Sequence, residues 1–339
     1  MELNEVAMTE ARALHARLTK PPGSLGFLED VGVQLAGIAG ACPPPLPEPA
    51  AVAVFAGDHG VVGAGVTPWP QEVTAQMVAN FCAGGAAVNA LARQVGARLA
   101  VVDVGVAADL VPHPDLLVRK VAAGTADLSA GPAMTLDQAR AAFAVGRDVA
   151  DSLVGEGARL LVTGEMGIGN TTPAAALIAA FTGRPAGDCT GRGTGIDDGM
   201  LERKRGVVED AVARVRDADD PWRVLAEVGG LEIAALAGFT AAGAAARVPV
   251  VVDGVIALAG VLVAEALEPG TVRACIAGHR SSEPGASVAL AHLGLRPLLD
   301  LDLCLGEGTG ACLAIPLVQA AARVLREMAT FDSAGVTEK

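Results

Sequence analysis

The sequence predicts an α/β protein whose main body is an open, mostly parallel sheet of about six strands with helices on both faces, a Rossmann-like arrangement. Three observations carry that expectation. From Ala50 onward, short apolar runs of strand length alternate with longer segments of helical pattern, and strands separated by about ten or more helical residues are joined by right-handed βαβ crossovers. The runs are apolar throughout, the pattern of strands buried on both sides. Polar, glycine-rich segments follow them, at the strand ends where open parallel sheets carry ligand sites.

Taken in order, residues 4–18 carry Val6, Leu14 and Leu18 at helical spacing, and Lys20-Pro21-Pro22-Gly23 stops that helix. Ser24 is the expected N-cap of a second helix reaching about Ala41. Five prolines between Cys42 and Pro49 then mark the boundary with the sheet. Strands are expected at residues 51–55, 99–104, 160–163, 249–252 and 272–276, with a weaker one at 296–299. After the first comes Gly57-Asp58-His59-Gly60, after the fourth Asp253-Gly254, and after the fifth His279-Arg280-Ser281-Ser282-Glu283. These polar groups converge on one rim.

The segment after the third strand is the most informative. Gly164-Glu165-Met166-Gly167-Ile168-Gly169-Asn170-Thr171-Thr172 leads from that strand into a helix of small residues starting at about Pro173. Such a turn aims the first helical N–H groups and the helix dipole at an anion. Its spacing resembles a P-loop with Thr171 at the hydroxyl position and Asn170 where the lysine would stand, which favours a ligand with one phosphate over a triphosphate. A βα turn with no ligand fits the same nine residues. Two further glycine clusters join the rim: Gly191-Arg192-Gly193-Thr194-Gly195, followed by Lys204, and Leu305-Gly306-Glu307-Gly308-Thr309-Gly310, which opens the last long helix.

Composition removes several classes. The 339-residue chain carries a net charge of −13, has 3% aromatic residues and contains no tyrosine, so it lacks both the electrostatic and the stacking terms of nucleic-acid binding. The longest apolar run, residues 233–246, is 14 residues, too short to span a bilayer. No charged-then-apolar leader opens the sequence, and the six cysteines lie scattered without a C-x-x-C pair. A cytoplasmic protein in a reducing compartment is expected. A dinucleotide fingerprint fails because Thr172 stands at the third glycine. His59 and His279 belong to no two-ligand metal motif and read as hydrogen-bonding rim residues, so neither metal nor cofactor is expected.

Two charged residues stand out. Lys204 is the lysine nearest to the Gly191–Gly195 cluster, suited to a phosphate, although a solvated helix lysine is the alternative. Glu307 lies between glycines at a helix N-terminus, where the dipole would hold it ionised and suited to be a base; a first-turn cap is the alternative.

At this point a resemblance is carried by the residues themselves. Lys20-Pro21-Pro22-Gly23-Ser24-Leu25-Gly26, Gly57-Asp58-His59-Gly60-Val61-Val62, Glu72-Val73-Thr74-Ala75-Gln76-Met77, the nonapeptide, Gly229-Gly230-Leu231-Glu232-Ile233-Ala234, His279 to Glu283 and Leu305 to Ala311 resemble the nicotinate-nucleotide:dimethylbenzimidazole phosphoribosyltransferase family. The resemblance implies transfer of phosphoribosyl from nicotinate mononucleotide to 5,6-dimethylbenzimidazole. It also implies a homodimer whose small helical domain comes from residues 1–45 with part of 311–339, beside a catalytic domain at 46–310. By the same resemblance Glu307 and Glu165 are catalytic. Gly167, Ile168, Gly169, Asn170, Thr171, Gly193, Gly195 and Lys204 hold the phosphate and nucleotide, and Gln76, Trp69, Met166 and Leu305 hold the base. The chain departs from the family pattern at Cys304, where a basic residue is expected, at Ala286 and at Trp69; these positions bear on which base is accepted.

Overall fold

The computed structural model describes residues 1–193 and 195–337. Strands β1 (Ala50–Gly57), β2 (Arg98–Gly105), β3 (Leu116–Val118), β4 (Leu160–Met166), β5 (Val250–Val252) and β6 (Cys275–Ala277) form one parallel sheet in the order β3-β2-β1-β4-β5-β6. This is the Rossmann order, and its switch point falls between β1 and β4. Gly57-Asp58-His59 and the nonapeptide leave the sheet side by side there, with Phe55 in register with Glu165.

Helices cover both faces. In chain order they are α1 (Glu5–Arg17), α2 (Phe27–Ala39), α3 (Glu72–Cys82), α4 (Ala87–Gln94), α5 (Leu136–Gly155), α6 (Thr171–Thr182), α7 (Ala186–Cys189) and α8 (Asp198–Val215). They continue with α9 (Pro221–Val228), α10 (Leu231–Ala245), α11 (Val255–Leu267), α12 (Pro284–Leu293), α13 (Thr309–Glu327) and α14 (Phe331–Ala334). Ala51, Ala53 and Phe55 point into the core beneath α5, α6, α10 and α11. Ala50, Val52, Val54 and Ala56 point into the opposite core with α2, α3, α4 and α13. Strand β1 is buried along its whole length, which explains why it reads as an uninterrupted apolar run. A satellite cluster of Ala7, Ala11, Val33, Ala36 and Leu325 joins α1, α2 and the far end of α13.

Three sequence expectations change. The sixth strand is β3, at the other edge of the sheet, and not residues 296–299. That segment pairs only briefly beside the end of β6: it bridges His279 through Leu299, and the Leu298 and Leu299 N–H groups are donated to the Ala277 and Gly278 carbonyls at 3.0 and 3.1 Å, too short a run to make a strand. The expected strand at 272–276 begins later: Thr271–Ala274 is a 3-10 turn and pairing starts at Cys275. Ser24 does not cap the second helix. Gly26 takes that position at φ 56°, and Glu29 in the first turn accepts from the Leu25 N–H at 3.1 Å and pairs with Lys20 at 2.8 Å.

The tight packing of α5 on α10 depends on glycine. A Cβ on Gly146 of α5 would lie 1.8 Å from the Ala235 carbonyl oxygen of α10, and one on Gly238 would lie 1.9 Å from that of Phe143. Gly146→Ala is therefore expected to destabilise the fold by at least about 1–3 kcal/mol, the usual cost of overpacking. Urea unfolding measures it, and a midpoint equal to the parent's would show that the two helices separate freely.

Candidate active site

A cavity of about 420 Å³ opens at the carboxyl ends of the strands, within the size range of small-molecule sites, about 300–1,000 Å³. Part of its lining is apolar, with Val73 and Met77 of α3, Met166, Ile256 and Leu305. The rest is polar, with Glu165, Asn170, His279, Ser281, Glu283 and Glu307.

Two glycines bring the glutamates together. The loop ahead of α13 crosses the end of β4 so closely that a Cβ on Gly164 would lie 2.5 Å from the Glu307 carbonyl oxygen. On the other side, a Cβ on Gly306 would meet Glu165 Oε1. The Glu307 N–H points at that same oxygen, 3.4 Å away. Gly306, Glu307 and Gly308 all have positive φ, at 84°, 65° and 93°. For glutamate this is a strained conformation of the kind that collects at functional sites. Asp253, at the end of β5, holds it in place by accepting the Gly308 N–H at 3.2 Å and the Ala311 N–H at 2.9 Å.

Burial sets the charges. The Glu165 carboxyl is pushed up to about 8 by burial first and then by the neighbouring Asp253 and Glu232 carboxylates, against the Asn170 amide that bonds its Oε2. Glu307 is also raised, by burial and by Asp253, while the Val88 N–H, 3.4 Å from its Oε2, works the other way. This corrects the expectation that the dipole of its own helix holds Glu307 at an ordinary value. Its side chain reaches the first turn of α4 instead, and desolvation outweighs the N–H it finds there. For His279, burial pulls the imidazole down, but Asp253 at 3.4 Å outweighs it and the net shift is upward.

The phosphate elements are assembled differently from the way the sequence implies. Gly167, Gly169 at φ 87°, Asn170 and Thr171 form the turn into α6. The Asn170 side chain is given to Glu165, and the Ile168 N–H is given to Thr74 Oγ1 at 3.1 Å. Lys204 is no solvated lysine. It is 1% exposed and sits behind the turn, donating to Thr171 Oγ1 at 2.8 Å and to the Gly191 carbonyl at 3.0 Å. Burial lowers it to about 8, with Glu283 holding it up. The Gly193 N–H is donated to Glu283 Oε1 at 2.8 Å, and Gly195 is exposed outside the cavity lining. Thr194 of the same cluster lies outside the described residues.

At the base end, Trp69, Met166 and Leu305 line the cavity and Gln76 does not. Gln76 faces a separate depression beside Asp109 and His113, because one residue turns an α-helix by about 100° away from Met77. Val73 and Met77, one turn apart, were the legible helical pair. Cys304 lines the cavity, whereas Ala286 is buried in the core. Asp253 and Glu283 were missed as site residues, although both stand just beyond a strand's carboxyl end. Asp58 and Asp103, also on that edge, give their carboxylates to the N–H groups of Ala107 at 2.7 Å and Val106 at 2.9 Å. Among the described residues, no group of three or more His, Cys, Asp or Glu side chains is arranged to hold a metal ion, and no helix is long and apolar enough to cross a membrane.

Fold and site together define an α/β enzyme with a small-molecule cavity at the carboxyl edge of its parallel sheet. A family model described as phosphoribosyltransferase matches residues 1–336. Nicotinate-nucleotide–dimethylbenzimidazole phosphoribosyltransferase from Salinispora tropica is 59% identical over 99% of this chain and 97% of its own length. The enzyme of the same name from Chloroflexus aurantiacus is 56% identical over 99% and 96%. A crystal structure of CobT from Thermus thermophilus superposes with a TM-score of 0.96 at 51% identity, covering 98% of this chain and all of that one. The chain belongs to this phosphoribosyltransferase family.

Lys204 generates a pH prediction. An ammonium lowered to about 8 is charged below that pH and neutral above it, so the parent's affinity for a phosphate ligand should fall as pH rises through about 8. Lys204→Ala should start weaker, by roughly 1.5–3 kcal/mol for one lost charge-assisted hydrogen bond, and show no such fall. Calorimetric titration with nicotinate mononucleotide from pH 6.5 to 9.5 checks both points.

Proposed function

We infer that the protein transfers the 5-phosphoribosyl group of nicotinate mononucleotide to 5,6-dimethylbenzimidazole, giving α-ribazole 5′-phosphate and nicotinate for the nucleotide loop of cobalamin. Beyond family membership, one observation carries the chemistry. Two buried carboxyls, Glu165 and Glu307, are interlocked in a cavity whose lining also includes the apolar side chains of Val73, Met77, Met166, Ile256 and Leu305.

Nicotinate mononucleotide holds its ring as a pyridinium, so nicotinate leaves with a neutral ring nitrogen and the sugar carbon becomes cationic. A benzimidazole nitrogen attacks from the opposite face, which inverts β to α. As that bond forms, the other ring N–H turns acidic and Glu307 accepts its proton. A carboxyl raised above its ordinary value suits that task, because a general base works best when its pKa approaches the operating pH. Among its protein neighbours alone Glu165, at about 8, carries its proton at neutral pH. The incoming pyridinium charge draws that pKa down, and the ionised carboxylate then stabilises the sugar cation. The turn at Gly167–Thr171, the Gly193 segment and Lys204 hold the phosphate, and Trp69, Met166 and Leu305 hold the base.

A cytoplasmic homodimer belongs to this proposal. Trp69, Leu301 and Leu305, exposed at 48%, 54% and 55%, offer a second copy an apolar surface to cover, and sedimentation velocity tests it. A nucleotide-binding regulator without turnover would have no use for two interlocked carboxyls. An ATP-dependent kinase is disfavoured because Asn170 binds Glu165 where a P-loop lysine would reach phosphates.

Incubating the protein with nicotinate mononucleotide and dimethylbenzimidazole should release nicotinate only when both are present; no release would refute the activity. Glu307→Gln should keep the fold and the nucleotide affinity but lose about 10²- to 10⁴-fold in turnover, the range of general-base catalysis. A 1-methyl-5,6-dimethylbenzimidazole, with no ring N–H to lose, should bind and react far more slowly in the parent. Equal turnover of the two acceptors would reassign Glu307 to electrostatic support of the sugar cation.

A further inference from the structure

Behind the turn at Gly167, and outside the cavity lining, lies a histidine–glutamate pair of which the site described above uses only the Glu232 carboxyl, as a neighbour of Glu165. His59 follows β1 and Glu232 stands in the first turn of α10; both are fully buried, with His59 Nε2 and Glu232 Oε1 2.8 Å apart. With a proton on Nε2 the ring donates this bond to the glutamate oxygen.

Three glycines from three segments close around the pair. A Cβ on Gly167 would stand 3.1 Å from His59 Nε2, one on Gly57 would stand 3.1 Å from Glu232 Oε2, and one on Gly230 would stand 2.6 Å from His59 Cε1. The imidazole thus lies directly against the turn at Gly167. It is a poor device for stability alone, since His59 Nδ1 and Glu232 Oε2 are buried and find no hydrogen-bond partner among the described residues. Buried polar atoms without partners cost free energy, and a buried ion pair gives weak net stabilisation.

We propose that the His59–Glu232 pair positions the nucleotide's phosphate site, the imidazole acting as the rigid floor on which the Gly167–Asn170 turn rests and Glu232 fixing the ring's orientation. Neither residue touches ligand, so both are positioning residues. The consequence reaches the catalytic end too, because Asn170, at the end of the turn, bonds Glu165. This inference rests on the reading that the turn receives the phosphate.

The test is steady-state kinetics on the full chain, varying nicotinate mononucleotide and dimethylbenzimidazole separately, with urea unfolding of the same samples. The variants are Glu232→Ala, Glu232→Gln, His59→Gln and Gly230→Ala. A displaced turn should raise KM for the nucleotide on the order of tenfold or more, since small misplacements far from the chemistry carry penalties of that size, and should leave KM for the base little changed. Glu232→Gln keeps an acceptor oxygen for the ring and should be milder than Glu232→Ala. Gly230→Ala keeps both partners and pushes on the pair from outside the cavity, so it gives the answer if Glu232→Ala does not fold. A lowered urea midpoint with both KM values unchanged would overturn the proposal, and so would an equal rise in both KM values. Lys204→Ala, measured alongside, separates the two levels of argument. If it leaves the nucleotide KM unchanged, the phosphate reading fails. If it raises that KM while the His59 and Glu232 variants do not, the phosphate site stands and only the pair's role is refuted.

Discussion

The interlock between the end of β4 and the loop before α13 is the contact on which the rest of the site depends. Gly164 is where that loop crosses, with its Cα against the Glu307 carbonyl, and Gly306 is where the loop makes room for the Glu165 carboxyl. A side chain at either position would push the loop and strand apart, and the two glutamates with them. The positive φ of Glu307 is held because Asp253 and Thr309 tie down its neighbours: Asp253 accepts from Gly308 and Ala311, and the Thr309 hydroxyl donates to the Gly306 carbonyl at 2.8 Å. Strain there is sustained by the N-terminus of a 19-residue helix packed on the sheet.

Around this interlock the protein gathers acids. Glu165, Glu232, Asp253 and Glu307 lie buried behind one rim, and two of them are raised partly by the others. Burying like charges together is costly unless protons are retained or a cation arrives. In the proposed reaction a pyridinium ring supplies that cation, the charge passes to the sugar as nicotinate leaves, and it is discharged as a proton to Glu307 once the benzimidazole has bonded. In the same proposal the counterpart for the phosphate is Lys204, buried behind the turn and 2.8 Å from Thr171 Oγ1.

Much of this was legible in the sequence, and the particular residues show why. Apolar runs flanked by glycine revealed β1, β2 and β4, because burial on both faces leaves a simple pattern. The edge strand β3 was invisible: three residues carry no period, and its pairing depends on β2 being there to receive it. The 296–299 run looked like a strand and does pair with the end of β6, but through too few residues to form one. Gln76 shows the same limit at finer scale. Its segment was identified, but which side of α3 faces the cavity is set by how that helix lies on the sheet.

The sequence by itself determined the fold class and the edge of the sheet that carries the cavity, and it proposed Glu307 and Lys204 from their surroundings and Glu165 from the family resemblance. These follow from local patterns, from short-range turn chemistry and from motifs whose meaning is carried by adjacent residues. Only the tertiary structure decided the strand order, the partners of each carboxyl and their protonation. Val88 and Glu307, Asp253 and Gly308, and His59 and Glu232 are 219, 55 and 173 residues apart in the chain. A buried group's pKa is set by desolvation and by charges that such distant segments bring to it, and no local pattern encodes those.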